Sequence, residues 1–168
     1  RWKGDPLVSI AVEPHAVFTC SPELLRRADR MAKDHHVPLI IHVAETLSEV
    51  GQVLEKFGNR PLEHLDSLGL LGPHVIADHC VHLNEAEIET VAKRGVKVVT
   101  NPESNMKLAS GICPVPRLLA EGVTVGLGTD GCASNNNLDL FAEMDTAAKI
   151  HKVASLDPTL MDAFTVLR

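Results

Sequence analysis

Leu39-Ile40-Ile41-His42-Val43-Ala44-Glu45-Thr46-Leu47-Ser48-Glu49 changes its hydrophobic period part-way along. Its first five residues are a nearly continuous apolar run, which reads as a strand buried on both faces. Thr46 followed three residues later by Glu49 is a capping-box signature, opening a helix that Gly58 closes. Residues 39–58 are therefore one strand-then-helix unit, with His42 and Glu45 at its junction.

The same unit recurs on both sides. Upstream, Val8-Ser9-Ile10-Ala11-Val12 predicts a short strand. Ser21-Pro22-Glu23 then supplies an N-cap with Pro at the first helical position, and Leu24, Leu25, Ala28, Met31 and Ala32 make a helical stripe that ends near His35-His36. Downstream, after an irregular, part-helical insert over residues 59–73, Val75-Ile76-Ala77 leads to Asp78-His79-Cys80. Asn84 with Glu87 caps a helix ended by Gly95. Residues 96–100 predict a fourth strand and 101–111 a long polar connection, followed by a short helix opened by Pro114-Val115-Pro116-Arg117 and stopped at Gly122. Residues 123–127 predict a fifth strand running into Gly128-Thr129-Asp130-Gly131, with a last helix around 138–149.

Apolar strands alternating with amphipathic helices predict an α/β fold, a parallel sheet covered by helices, either open and doubly wound or part of a barrel. Both place chemistry at the carboxyl ends of strands. His15, His42 with Glu45, His79, Asn101 and Asp130 all fall there, one cluster per unit, and the opposite ends carry no such series apart from His74. The 168 residues fall short of the roughly 250 of a complete eight-unit barrel, whereas at about 30 residues per unit they match a little over five units.

Composition removes other classes. Hydrophobic residues at 45% and charged residues at 23% describe a globular domain with a real core. Sixteen Lys and Arg against 22 Asp and Glu, net charge −6, with no basic run, argue against nucleic acid. The longest apolar stretch, residues 37–44, is interrupted by Pro38 and His42 and is far shorter than the roughly 20 residues of a membrane helix. Cys20, Cys80, Cys113 and Cys132 contain no C-x-x-C pair, so a reducing cytoplasm is the default expectation. Arg1-Trp2-Lys3-Gly4-Asp5-Pro6 reads neither as a signal peptide nor as a natural start.

His42 and Glu45, three residues apart, bring an imidazole and a carboxylate to one small site. A neutral imidazole suits zinc, and the carboxylate beside it can move protons. Asp130, bracketed by Gly128 and Gly131, sits where a ligand can approach the backbone closely, and His79 could hold or deprotonate a water. This is the kit for metal-assisted hydrolysis. Singly, each residue also has a structural reading: a hydrogen-bonded core histidine, a turn Asp130, a helix-capping Glu45. Cys80 reads as a buried thiol, and His82 is ambiguous.

Five blocks together carry a resemblance. Glu13-Pro14-His15-Ala16 with Cys20-Ser21-Pro22-Glu23-Leu24, His42-Val43-Ala44-Glu45-Thr46, and His79-Cys80-Val81-His82-Leu83 come first. The run from Asn101-Pro102-Glu103-Ser104-Asn105 to Gly111 and Gly128-Thr129-Asp130-Gly131 with Ser134-Asn135-Asn136 follow. In this order they resemble the amidohydrolase superfamily, in its 5-methylthioadenosine/S-adenosylhomocysteine deaminase branch. The resemblance implies that residues 1–168 form one partial (β/α)8 TIM-type barrel domain, about strands four to eight. It implies one divalent metal, zinc with iron or manganese as variants, and a small-molecule purine nucleoside whose exocyclic amine is hydrolysed to ammonia. His42 and Asp130 would hold the metal and Asp130 would also take a proton from water. Glu45 would protonate the ring nitrogen, His79 would orient the nucleophile, and His15 would bind substrate with Glu45 and Asp130.

This sequence departs from the family's pattern at Thr100, where many relatives have His, and at Asp78, where many have Ala. The family's His-x-His pair, two of its four ligands, is matched nowhere, since no two histidines here are separated by one residue. Other readings stay open: a deaminase or chlorohydrolase acting on guanine, a triazine or another heterocycle, or a non-catalytic half-barrel whose unpaired edges would favour self-association, a homo-oligomer being one way to cover them.

Overall fold

The computed structural model describes residues 5–167. Four parallel strands form one sheet in the order of the chain: β1 (Leu39–Val43), β2 (Val75–His79), β3 (Lys97–Thr100) and β4 (Val125–Leu127). Neighbouring strands are consecutive in sequence, and helices link them: α2 (Leu47–Phe57) and α3 (Pro61–Ser67), then α4 (Glu85–Arg94), then α5 (Pro102–Lys107) and α6 (Val115–Ala120). α1 (Pro22–His35) precedes the sheet, and α7 (Leu140–Ser155) and α8 (Ala163–Leu167) follow it. A consecutive, parallel, helix-linked order is that of an arc of a barrel.

Burial alternates along the strands. Leu39, Ile41, Val43, Val75, Ala77 and Val98 are buried in one cluster with Leu25, Val53, Leu65, Ile88 and Leu118 of the helices. The intervening Ile40, His42, Ile76, Asp78 and Val99 are only half-buried on the opposite, concave face. The pairing sets His42 beside Asp78 and Asp78 beside Val99, so the polar residues of two strands stand abreast.

Most helix termini follow local chemistry. Ser21 Oγ accepts the Leu24 N–H at 3.2 Å with Pro22 in the first turn, and Asn84 and Glu87 exchange both capping-box hydrogen bonds at 2.9 Å. Gly58 and Gly95 end α2 and α4 in the left-handed conformation. α1 ends without a glycine, His36 taking the left-handed position instead.

Three expectations are corrected. Residues 8–12 form no strand: the segment makes two isolated parallel bridges, Val12 to Leu39 and Ala16 to His42, with Val12 exchanging two hydrogen bonds of 2.9 Å with Pro38 and Ile40. Leu7 and Ile10 are exposed, so no second neighbour straightens the run into a ladder. The sheet therefore has four strands and a bridged edge rather than five strands. Second, the 101–111 connection contains α5, started by Pro102 and Glu103. Third, the last long helix continues to Ser155.

Ile41, in the middle of β1, is 1% exposed. Ile41→Ala should lower unfolding free energy by about 2–5 kcal/mol, whereas Leu7→Ala on the open edge should change it by less than about 0.5 kcal/mol, both read from denaturant midpoints.

Candidate active site

The carboxyl ends of β1 and β2 bring three histidines into a row. The ring centroids of His15 and His42 are 5.2 Å apart, and those of His42 and His79 are 5.4 Å apart in a stacked arrangement. His42 reaches the concave face by ordinary strand alternation, but His79 does not. It shares its parity with the buried Val75 and Ala77, and a backbone φ of 65° turns the chain so that its ring meets His42. Ala44, Cys80 and Asp130 are also left-handed, with φ of 51°, 49° and 59°. Non-glycine residues adopt this conformation rarely and at a cost, and such positions gather at functional sites.

Each imidazole is oriented by its Nδ1. His42 Nδ1–H donates to the His15 carbonyl at 2.5 Å, leaving the Nε2 lone pair free. His79 Nδ1–H donates to Asn105 Oδ1 at 2.9 Å, which frees its Nε2, 3.8 Å from Glu45 Oε2. A backbone carbonyl on one ring nitrogen is the arrangement that prepares the other to bind a metal. His15 Nδ1 lies 2.7 Å from Thr19 Oγ1, whose hydroxyl donates to the Ala16 carbonyl, and the His15 side chain is exposed at the rim.

Asp130 is held by three donors. Ser104 Oγ and Ser134 Oγ donate to Oδ2 at 2.7 and 2.5 Å, and the Gly131 N–H donates to Oδ1 at 2.6 Å. Burial pulls its pKa upward, but these hydrogen bonds with the nearby His79 outweigh it and hold the carboxyl below its ordinary value. A carboxylate offers about four acceptor sites, so one on Oδ1 is left for a ligand. The loop is braced from behind: Asn135 Nδ2 donates to the Thr129 carbonyl at 2.9 Å and to Glu143 Oε1 at 2.6 Å, while Glu143 Oε2 accepts the Glu103 N–H at 3.0 Å. Glu143 is fully buried, and desolvation raises its pKa against the opposing pull of the Glu103 N–H.

Of the sequence-derived site residues, His15, His42, Glu45 and His79 meet directly, and Asp130 joins through Ser104 on the helix that also carries Asn105. A second arrangement involves Asp78. His42, Asp78 and His79 offer ligand atoms within 4.8 Å of one another, a group that does not include Asp130. Asp78 Oδ1, however, already accepts from the His79 N–H at 2.9 Å and from Asn101 Nδ2 at 2.7 Å. It holds the turn at His79 and the Asn101 amide, whose Oδ1 lies where any side chain at Gly128 would collide, 2.4 Å from the position of a Cβ. Asn105, Ser104 and Glu143 escape sequence reasoning as site residues. The only signal for the first two was their place in the polar run after β3.

The Amidohydrolase family model matches residues 2–168. The chain belongs to the amidohydrolase family. It is 67% identical over all 168 residues to the 5-methylthioadenosine/S-adenosylhomocysteine deaminase of Syntrophobacter fumaroxidans. It is 54% identical, over 98% of its length, to the 5'-deoxyadenosine deaminase of Methanopyrus kandleri. Each match spans 38% of the relative's own length. Among solved structures, an adenosine deaminase from Xanthomonas campestris with bound zinc superposes with TM-score 0.96 at 47% identity, over 99% of this chain and 38% of that one. The zinc complex of atrazine chlorohydrolase from Arthrobacter aurescens superposes with TM-score 0.91 at 30% identity, over 96% of this chain and 36% of that one. This amidohydrolase sheet is thus an arc of the family's barrel, as its parallel order indicates.

Cys80 and Cys113 are buried inside this site's support, and desolvation pushes the Cys80 thiol well up and the Cys113 thiol up to about 12. Neither is a nucleophile at neutral pH. With a thiol reagent at pH 7.5, the native chain should show one fast-reacting cysteine, the exposed Cys132, and all four only after denaturation. Fast modification of Cys80 would contradict this packing.

Proposed function

We propose that these residues supply the strand-four-to-eight part of a metal-dependent hydrolytic deaminase acting on an adenine nucleoside of the 5-methylthioadenosine, S-adenosylhomocysteine or adenosine type. The observation that carries the reading is the opposition of Glu45 and His79 at 3.8 Å beside a His42 whose Nε2 is free. The donor set fits a borderline divalent ion, with an imidazole tautomer fixed from behind and a carboxylate held ionised. From this chain His42 Nε2 and Asp130 Oδ1 would hold it, the other two ligands corresponding to the family's His-x-His pair. A divalent ion there would supply Lewis-acid activation of water.

The protein's own groups then divide the proton work. Asp130, kept ionised by Ser104, Ser134 and the Gly131 N–H, accepts a proton from the attacking water at Oδ2 as one serine hydroxyl yields its hydrogen bond. His79 Nε2 orients that water as an acceptor, because Asn105 holds the proton on Nδ1. When Nε2 takes the water's proton on from Asp130 it becomes a donor to the developing oxyanion, and Glu45, within ion-pair reach, receives the proton from it. Glu45, half-buried and touched by Ser110 Oγ at 3.4 Å, delivers in turn the two protons that the water loses, the first to the ring nitrogen and the second to the leaving amine. Each reaches Glu45 from Asp130 by way of His79, so that all three groups end as they began. His15, at the rim, meets the substrate's exposed part.

A second reading keeps the site and changes the leaving group, as the 30% identical chlorohydrolase illustrates. The full-length product of the reading frame that carries these residues should release ammonia from 5-methylthioadenosine or S-adenosylhomocysteine, and Glu45→Gln should lower kcat about 10²–10⁴-fold. Turnover of amino- or chloro-triazines or guanine, with the nucleosides inert, would favour the second reading. The 168 residues alone should release none, since they supply two of the four expected ligands. Ammonia release by the isolated chain with added zinc would overturn that ligand count.

A further inference from the structure

The spacing Thr46-x-x-Glu49 predicts that the Glu49 carboxylate folds back onto the N–H of its own cap residue, Thr46. Half of that device is present: Thr46 Oγ1 accepts the Glu49 N–H at 3.1 Å. The hydrogen bonds of the carboxylate reach further back, past the Thr46 N–H that lies near it. Glu49 Oε1 accepts the Ala44 N–H at 3.1 Å and Oε2 accepts the Glu45 N–H at 2.7 Å. We propose that Glu49 is a positioning residue, a buried carboxylate that holds the left-handed turn at Ala44 and thereby aims Glu45 at His79. The proposal rests on the catalytic reading of Glu45 given above.

Three observations converge on it. Glu49 is 3% exposed and, among the described residues, forms no ion pair, so its charge is met by backbone donors rather than a cation. Ala44 is fully buried with φ 51°, a conformation an alanine keeps only when its surroundings impose it. One carboxylate gripping two successive N–H groups fixes the peptide planes on both sides of that residue. Helix capping alone does not account for a buried charge aimed this way, because Thr46 already caps α2. Burial also raises the Glu49 pKa, with Glu45 adding to the rise and the Ala44, Glu45 and Thr46 amides opposing it.

The test is Glu49→Gln in the full-length product, with Glu55→Gln on the exposed side of α2 and Thr46→Ala as comparators. A glutamine oxygen can accept one amide, but its NH2 confronts the other. Glu49→Gln should lower kcat about 10–100-fold with KM changed less than about twofold, as expected for loss of a partner that orients a reacting group. Hydrogen exchange should quicken at the Ala44 and Glu45 amides while the β1 and β2 ladders stay protected. Thr46→Ala should lower the melting temperature with kcat retained, and Glu55→Gln should match the parent. Glu49→Gln with kcat within about twofold of the parent, or with Ala44 and Glu45 amides as protected as before, overturns the proposal. The exchange measurement does not depend on turnover, so it decides the positioning role even if the parent deaminates no nucleoside.

Discussion

Everything at the site depends on the parallel, sequential pairing of four strands. Because β1 to β4 run the same way and neighbours in space are neighbours in sequence, each strand's carboxyl end opens at the same edge of the sheet. Register then decides which side chains stand abreast: His42 beside Asp78 on adjacent strands, both on the concave face. An antiparallel partner would send every second strand end, with its histidine or aspartate, to the opposite edge. The helices on the other face bury the alternate apolar residues and so lock the register, since a one-residue slip would exchange the two faces.

Pairing alone does not complete the site, because the chain still has to turn at or just beyond the ends of β1, β2 and β4. The chain does this with left-handed residues that are not glycines, at Ala44, His79, Cys80 and Asp130, and with hydrogen bonds donated to buried carboxylates behind them. Glu49 holds the turn after β1. Glu87 accepts the Asn84 N–H and pairs with Arg60, whose guanidinium also reaches the His82 carbonyl, bracing the segment after β2. Glu143 ties the loop after β4 to the first turn of α5. All three are essentially buried and sit in the first turns of their helices, where the helix N-terminus favours negative charge. Backbone and amide donors offset the cost of burying Glu49 and Glu143, and the Asn84 N–H and the Arg60 guanidinium meet Glu87 at Oε2 while its Oε1 stays unpartnered; rigidity at the strand ends is the return.

Much of this was legible from residue order. The apolar runs at Leu39 to Val43 and Val75 to Ala77, with capping signatures after them, announce their strands and helices because those signals are local. His42, Glu45, His79 and Asp130 stand out because polar residues ending apolar strands need a reason. Residues 8–12 mislead: their β-branched pattern is genuine, but strand character needs a neighbour on each side or a buried face, and exposed Ile10 has neither. Asn105, Ser104 and Glu143 were hidden because their roles are contacts over 26 to 40 residues of chain separation, which no spacing rule encodes. The redirected Glu49 carboxylate was hidden differently. Its sequence signature is correct for a cap, and only the backbone conformation of Ala44 shows where the carboxylate goes.

The strand ends should converge on one divalent-ion position shared by His42 and Asp130. Anomalous diffraction at the zinc edge, from crystals of the full-length product grown with zinc, tests it most directly. The ion should lie about 2.0–2.2 Å from His42 Nε2 and from an Asp130 oxygen, with Asp78 still bonded to Asn101. An ion ligated by Asp78 in place of Asp130, or none at the carboxyl ends of β1 and β4, would contradict it.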